Sequence, residues 1–263
     1  MAAFDIIDAS GRAYMLAWKE RQYLLRLAAI PLLIKIICVA AVEALGFNER
    51  FLVAALIMLP SYFADGWMVS HLVRLIYFGQ RWPFRPSGDV AADTEQLRAR
   101  AHGILAGTLT YVVIKFLMQG FVAVTFVMIA QAQLQQDSPT LGMALGSLGF
   151  LVFTLWAFRF VWLPIPAALD YSLKDFVKTM RGFKTSLILI ATWMICFLPI
   201  FTLLRVVAGV ILAPYATPEL VPLSAQLLTT FLTLLMDTAE ALIASAGIAY
   251  GVREWMFKTS RKV

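Results

Sequence analysis

The sequence predicts an all-α integral membrane protein, a six-transmembrane-helix bundle with both termini in the cytoplasm. Of its 263 residues, 61% are hydrophobic and 14% are charged, whereas ordinary soluble domains are about 45–50% apolar and about 25% charged. Six apolar stretches are long enough to cross a hydrocarbon core about 30 Å thick, which takes about 20 helical residues. Basic residues are concentrated in every second segment between those stretches, which is typical of a multi-pass protein.

The apolar stretches are separated by short segments of polar and turn-forming residues. We predict spans at about 24–45, 51–78, 104–130, 141–168, 186–213 and 223–250, which form a single polytopic domain over residues 1–263. Several of these stretches are longer than a perpendicular span needs. They therefore predict tilted helices, or helices that continue past the membrane boundary.

The distribution of basic residues predicts the orientation. With Arg26 counted in the N-terminal segment, the seven segments along the chain contain 4, 1, 4, 0, 4, 0 and 4 Lys or Arg residues. Because cytoplasmic loops carry the excess of basic residues, the termini and the loops at 79–103 and 169–185 are predicted to be cytoplasmic. The net charge of +6 follows this pattern and forms no single basic patch, so nucleic-acid binding is not expected. The acidic N-terminus does not resemble a cleavable signal peptide.

Two shorter segments are predicted to be interfacial helices. In residues 10–22, Tyr14 and Trp18 stand four apart beside Lys19 and Arg21, a combination typical of the lipid headgroup level. Ser10 is a candidate N-cap. A plain extension of the first span is an equally good interpretation.

Residues 171–182 form the second such segment. Ser172 and Asp175 make an S-x-x-D capping pair, and apolar residues at helical spacing predict an amphipathic helix: Leu173, Phe176, Val177 and Met180. Basic residues flank this stripe and are candidate contacts to anionic lipid on the cytoplasmic leaflet: Lys174, Lys178 and Arg181.

Five ionisable residues fall near the middle of predicted spans: Lys35, Asp65, Lys115, Asp237 and Glu240. A charge at the membrane centre costs at least about 2.5–3.5 kcal/mol, so each needs a partner or a water-filled cavity. Lys35 and Asp65 lie on consecutive antiparallel spans and are expected to meet. Lys115 is expected to meet Asp237 and Glu240, which share one helix face. The set is either a structural polar network or a path for protons or a solute.

The remaining charged residues within the spans lie nearer to the ends of those spans: Arg74, Arg159 and Arg205. Their long side chains are expected to reach the headgroups. Three GxxxG pairs predict close helix packing, inside the bundle or between two copies of the chain: Gly103–Gly107, Gly142–Gly146 and Gly247–Gly251.

No pattern indicates catalysis or a cofactor. The sequence has no HExxH, GxSxG, phosphate-binding loop or dinucleotide fingerprint, and its two histidines, His71 and His102, stand apart. Cys38 and Cys196 lie in apolar runs without a CxxC spacing. We expect no catalytic, cofactor-binding or metal-binding residues.

Three segments share a layout with a known family: residues 27–33 in the first span, 67–79 at the end of the second, and 168–182 after the fourth. In the first, Pro31 follows an apolar turn; the second carries Arg74 before a glycine, and the third ends in Arg181-Gly182. This layout resembles the uncharacterised YciC-like bacterial inner-membrane proteins, which are related to the membrane domain attached to some glycerophosphodiester phosphodiesterases. The resemblance implies a bacterial inner-membrane location and a six-helix bundle. It carries over no catalytic residue, because the family has none assigned.

The expected function is non-enzymatic: an accessory, scaffold or lipid-associated subunit of a membrane complex, with membrane lipids and a protein partner or a second copy as candidate partners. The alternative is a small transporter or channel subunit that uses the mid-span charges. An intramembrane lipid-modifying enzyme is the third hypothesis.

Overall fold

All regular structure in the described part of the chain is helical. The computed structural model describes residues 4–47, 50–84, 86, 88–134, 141–215 and 221–260, with the side chains at 126–134, 141–145, 254 and 257–260 left out. In these residues, ten α-helices and one 3₁₀ helix follow one another: α1 (Ile6–Lys19), α2 (Arg21–Ala44), α3 (Phe51–Ile57), α4 (Leu59–Phe78), α5 (Val90–Leu134), α6 (Leu141–Ala157), the 3₁₀ helix (Phe158–Trp162), α7 (Pro164–Ala168), α8 (Leu173–Thr179), α9 (Phe183–Leu212) and α10 (Leu223–Ser260).

The helices of the described residues confirm the predicted all-α class, and their length and hydropathy are those of a multi-pass membrane protein. Among the described residues, five helical stretches are long and apolar enough to cross a membrane: Arg21–Ala44, Val90–Thr125, Gly146–Ala168, Phe183–Leu212 and Leu223–Arg253. Helices α3 and α4 pass the same test together, so the number is six if this bent pair is one span. Large apolar side chains are exposed along these helices, including Leu33, Val113 and Val210. A lipid environment accounts for that exposure.

Helix α4 is the centre of the bundle. Fourteen of its 20 residues are buried, and it packs against α2, α5, α7 and α10. The contact with α5 is close, because a Cβ added to Gly66 would lie 2.9 Å from the backbone oxygen of Thr108. This packing places the charged residues of α4 inside the protein.

The predicted second span at about 51–78 consists of two helices, α3 and α4, separated by a break at Met58. Helices α3 and α4 meet there at 54°. Pro60 stands in the first turn of α4. Proline has no backbone N–H and its ring clashes with the carbonyl four residues earlier, which favours a break in the helix near that position.

The third helix is longer than the predicted span at 104–130. Helix α5 begins at Val90, so residues 90–103 are helical and not part of a loop. Asp89 precedes the helix, and its Oδ1 accepts hydrogen bonds from the backbone N–H groups of Ala91 and Ala92. This is the geometry of an N-cap. A search for apolar length alone does not find the polar first turns of such a helix.

The fourth predicted span, 141–168, is not one α-helix. Helix α6 ends at Ala157, a 3₁₀ helix follows over Phe158–Trp162, and α7 begins at Pro164. Pro164 and Pro166 remove backbone donors from this segment, so the preceding turn tightens before the chain restarts as a helix.

The last two spans are present as continuous helices with shifted ends. Helix α9 covers Phe183–Leu212, with Pro199 inside it, against the predicted 186–213. Helix α10 runs from Leu223 to Ser260, ten residues beyond the predicted end at 250. The predicted connecting segments at 131–140 and 214–222 lie largely outside the described residues.

The N-terminal helix is separate from the first span, which agrees with the first of the two interpretations above, but it is displaced from the predicted 10–22. Helix α1 covers Ile6–Lys19 and is capped by Asp5, while the expected cap Ser10 is buried. It packs against α9 and α10, and the Tyr14 hydroxyl donates to the Cys196 carbonyl oxygen at 2.8 Å. Burial, with a smaller contribution from Cys196, raises the pKa of Tyr14 to about 12. Helix α1 therefore belongs to the bundle on one side, while Trp18 remains exposed.

The predicted helix at 171–182 is present only over Leu173–Thr179, as α8. The predicted cap is confirmed, because the Ser172 hydroxyl accepts a hydrogen bond from the Asp175 backbone N–H at 3.3 Å. The apolar stripe does not lie on a surface as a unit: Phe176 and Met180 are buried in the core, while Leu173 is exposed. Helix α8 is thus anchored in the protein by its C-terminal half.

Candidate functional site in the membrane interior

Three helices meet at Lys35. This residue lies on α2 and is 3% exposed. Its Nζ is 2.9 Å from Oδ2 of Asp65 on α4 and 2.6 Å from Oδ2 of Asp237 on α10. The hydroxyl of Thr238 lies 3.4 Å from the same nitrogen. We call Lys35, Asp65 and Asp237 the ionic triad.

Local sequence places each member of the ionic triad. Pro31 precedes Lys35 by one turn inside α2, and the break at Met58 sets the direction in which α4 presents Asp65. The side chain of Asp65 is 5% exposed, whereas that of Asp237 is 50% exposed. Asp65 Oδ1 is buried with no hydrogen-bond partner among the described residues. The triad is therefore closed on the Asp65 side and open on the Asp237 side.

Asp237 opens onto a cavity of about 150 Å³ between α4, α5, the 3₁₀ helix, α7, α9 and α10. Lys115, Glu240 and Ser245 also line it. Its walls are otherwise apolar and aromatic, including Tyr111, Phe158, Trp162, Ile165 and Trp193. A mainly apolar pocket with a few convergent polar groups is typical of a small-ligand site.

Three of the five mid-span residues line this cavity, namely Lys115, Asp237 and Glu240, while Lys35 and Asp65 lie outside its lining. Lys35 meets Asp65, as expected. Lys115 does not pair with Asp237 or Glu240: its Nζ lies 5.7 Å from the centre of the Tyr111 ring, and it has no ion pair among the described residues. Asp237 pairs with Lys35 because α2 and α10 are adjacent, which spacing along the chain does not reveal. The Glu240 carboxylate accepts a hydrogen bond from Trp193 Nε1 at 3.2 Å.

Two aromatic residues of this site are missing from the sequence-based candidates. Tyr111 lies beneath Lys115, and Trp193 holds Glu240. Both fall in spans rich in aromatic residues. The sequence could have pointed to them, because a tyrosine or tryptophan in a membrane core needs a hydrogen-bond partner for its polar atom.

Contrary to the expectation, the Arg74 side chain does not extend to the headgroups. It is 5% exposed, and its Nη1 donates to the Ala168 carbonyl oxygen at 2.9 Å and lies 3.5 Å from Asp170 Oδ2. Its Nε donates to Gln80 at 2.9 Å. Asp170 also contacts His102 Nδ1 at 2.6 Å. Arg74 therefore fixes the end of α4 to the turn that follows α7.

Arg159 is also buried, at 8% exposure, so the expectation of headgroup contact is wrong for it as well. Its Nη1 donates to the Met180 carbonyl oxygen at 3.1 Å, and its guanidinium stacks 4.4 Å from the Trp156 ring. Arg205 is exposed and lies over Phe201, which is compatible with the expectation.

The three candidate lipid contacts on and after α8 are exposed: Lys174, Lys178 and Arg181. Together with Arg159 they line an open groove of about 420 Å³ whose apolar members are Leu163, Leu173 and Val177. We call it the α8 groove. It combines four cations with an aliphatic floor.

A metal site has no support in the described residues, which contain no group of three or more His, Cys, Asp or Glu side chains placed to hold an ion. No family model matches the chain, and no curated protein or solved structure shows significant similarity to it. The resemblance to the YciC-like proteins therefore stays a prediction, and the function rests on the geometry alone.

Proposed function

We propose that this chain is a non-enzymatic, multi-pass protein of the bacterial inner membrane that acts as a structural or accessory subunit of a membrane complex. The ionic triad carries the proposal. Lys35 and Asp65 are almost fully enclosed, and they join α2, α4 and α10 through contacts of 2.9 and 2.6 Å. Side chains that conduct a proton or a solute must exchange partners with water, and an enclosed pair is poorly suited to that.

The test is to remove the lysine and then the carboxylate that it leaves behind. Lys35→Met strands Asp65 in the protein core, and breaking a buried pair in this way costs about 3–5 kcal/mol. In Lys35→Met/Asp65→Asn, the remaining carboxylate is the half-exposed Asp237, so more than half of the loss should be recovered. The free energy of unfolding is measured by SDS titration in mixed micelles.

Lys115→Met is the matched control, because Lys115 is a lysine on a neighbouring span without an ion pair among the described residues. We expect its unfolding free energy to stay within about 1 kcal/mol of the wild type. Equal losses for Lys35→Met and Lys115→Met, or no recovery in the double variant, would contradict a structural triad.

A small transporter or channel subunit is the second candidate, and the cavity favours it. Around the triad and the cavity stand three carboxylates and two lysines: Asp65, Asp237, Glu240, Lys35 and Lys115. In a medium of low dielectric constant the neutral arrangement holds one additional proton, and Asp237 and Glu240 are accessible from the cavity. Glu240→Gln and Lys115→Met should fold normally under both proposals. Loss of proton or solute flux in vesicles reconstituted with these two variants would favour transport over a structural role.

We place both termini and the segments at 79–103 and 169–185 in the cytoplasm, on the strength of the alternating basic residues. Native Cys38 and Cys196 are buried, so single cysteines introduced at Ser87, Ser138, Lys178 and Thr217 report orientation. On intact cells, a membrane-impermeant thiol reagent should modify positions 138 and 217 only. Modification at 87 or 178, or protection at both of the others, would reverse the orientation.

Anionic lipid is the proposed partner of Lys174, Lys178 and Arg181, since the α8 groove offers cations above an aliphatic floor. Each basic residue near an anionic leaflet contributes about 1 kcal/mol. The triple variant with glutamine at these positions should retain less phosphatidylglycerol than the wild type when both are extracted from anionic vesicles. Equal retention would remove the α8 groove from consideration.

A further inference from the structure

A second cavity, which is mainly polar, lies where the start of α2 faces the segment after α4. It measures about 750 Å³ and is lined by residues from the junction of α1 and α2, from the segment that begins at Gly79, and by Arg100 of α5. We call it the basic basin. Because it lies at the ends of two spans, it is at the level of the lipid headgroups.

The charges of the basic basin are strongly unbalanced. Five cationic side chains line it, namely Lys19, Arg21, Arg26, Arg81 and Arg100, against one carboxylate, Glu20. That carboxylate is already engaged with Arg81 at 2.6 Å. Arg21 turns to Trp18, to whose carbonyl oxygen it donates. Lys19 and Arg26 have no ion pair among the described residues.

Arg100 is the observation that points to a ligand. It is 7% exposed, and its Nη2 donates to the Arg81 carbonyl oxygen. No carboxylate of the described residues lies within ion-pair distance, although a guanidinium carries five donors. A buried charge without a counter-ion is costly. The neighbours of Arg100 in the basin add further positive charge, so an anion bound there would compensate all of them at once.

The shape of the basin indicates what kind of anion fits. Leu27, Tyr23, Trp82, Pro83 and Phe84 give it an apolar wall. That wall is fixed in place, because the Trp82 backbone N–H donates to the Tyr23 hydroxyl at 3.1 Å and its ring packs on Trp67. Arginine forks match phosphate oxygens in geometry as well as charge. We propose that the basic basin binds a phosphate-bearing anion, either an acidic phospholipid headgroup or a soluble phosphate ester.

The first experiment measures binding to the full-length protein in a non-ionic detergent. The probes are dioctanoyl phosphatidylglycerol, inorganic pyrophosphate and, as a zwitterionic control, dioctanoyl phosphatidylcholine. Phosphatidylglycerol or pyrophosphate should raise the melting temperature in a saturable way, and phosphatidylcholine should not. Binding of pyrophosphate indicates a soluble ligand; binding of phosphatidylglycerol alone indicates a lipid headgroup.

The variants locate the site. Arg100→Gln and Lys19→Gln/Arg26→Gln should each weaken binding of the anionic probe by at least about tenfold, as loss of a charge-assisted contact implies. Arg50→Gln is the control: this basic residue lies at the opposite end of the bundle, and its variant should bind as the wild type does. Lys19 and Arg26 are exposed, so their replacement leaves the fold intact.

Arg100→Gln also separates a ligand-binding role from a structural one. If the guanidinium awaits an anion, the ligand-free variant should melt at the same temperature as the wild type or higher, because a buried uncompensated charge has been removed. A lower melting temperature without ligand, together with unchanged binding, would overturn the proposal. The proposal would also be overturned if neither anionic probe bound saturably, or if both basin variants bound as tightly as the wild type.

Discussion

Lys35 and Arg100 are both buried cations, and the protein treats them in opposite ways. Lys35, at 3% exposure, is met by carboxylates from two other helices. Arg100, at 7% exposure, meets a carbonyl oxygen and no carboxylate of the described residues. Burial alone therefore does not show what a charged residue does in this bundle. The presence or absence of compensation separates a residue that joins helices from one that is available to an external anion.

Arg74 lies between these two extremes, and its replacement should have the largest effect of the three that follow. Arg74→Gln loses the contacts to Ala168, Asp170 and Gln80 in a buried setting. We expect a loss of about 2–4 kcal/mol in the free energy of unfolding, measured by SDS titration. Arg205→Gln is the control: this arginine is exposed, and its loss should cost no more than about 0.5 kcal/mol. Similar losses of unfolding free energy for the two variants would mean that burial of the guanidinium does not determine the loss.

Arg159 resembles Arg100 in having no carboxylate partner among the described residues, but aromatic rings surround it. Arg159→Met should cost about 1–2 kcal/mol, from the lost bond to the Met180 carbonyl and the lost stacking on Trp156. The measurement is the same titration. A loss as large as that of Arg74→Gln would show that rings compensate a buried guanidinium as well as a carboxylate does.

Asp237→Asn should have the smallest effect. Its side chain is 50% exposed, and Lys35 keeps Asp65 after the substitution. We expect a loss of less than about 1 kcal/mol, far below that of Lys35→Met. If Asp237→Asn destabilises the protein as much as Lys35→Met does, the half-exposed Asp237 contributes to stability as much as the buried Asp65. The proposed difference between the two carboxylates would then be wrong.

Sequence reasoning recovers the features of this fold that depend on apolar length, and it fails where a contact is set by which helices are neighbours. The meeting of Lys35 and Asp65 follows from consecutive antiparallel spans. The contact between Lys35 and Asp237 joins α2 to α10, and nothing in the spacing of either helix reveals that they touch. The depth of Arg74 in its span is readable, but its orientation toward Ala168, and hence its burial, is not.

Helix boundaries fail for local reasons. The break at Met58 and the 3₁₀ helix over Phe158–Trp162 both occur at prolines, which membrane helices often tolerate, so a proline alone does not predict an interruption. The first turns of α5 are polar, and Asp89 caps them. A criterion based on hydrophobicity ends where the apolar residues end, although the backbone hydrogen bonds continue.

The unbroken length of α5 has a mechanical consequence. At 1.5 Å per residue, its 45 residues make a rod of about 67 Å, more than twice the thickness of a hydrocarbon core. Arg100 in the basic basin and Lys115 at the interior cavity both sit on this rod, about 22 Å apart along its axis. The helix is continuous between them, so a displacement of α5 at the basic basin also displaces it at the interior cavity. The two cavities share no side chain, yet one rigid helix connects them mechanically.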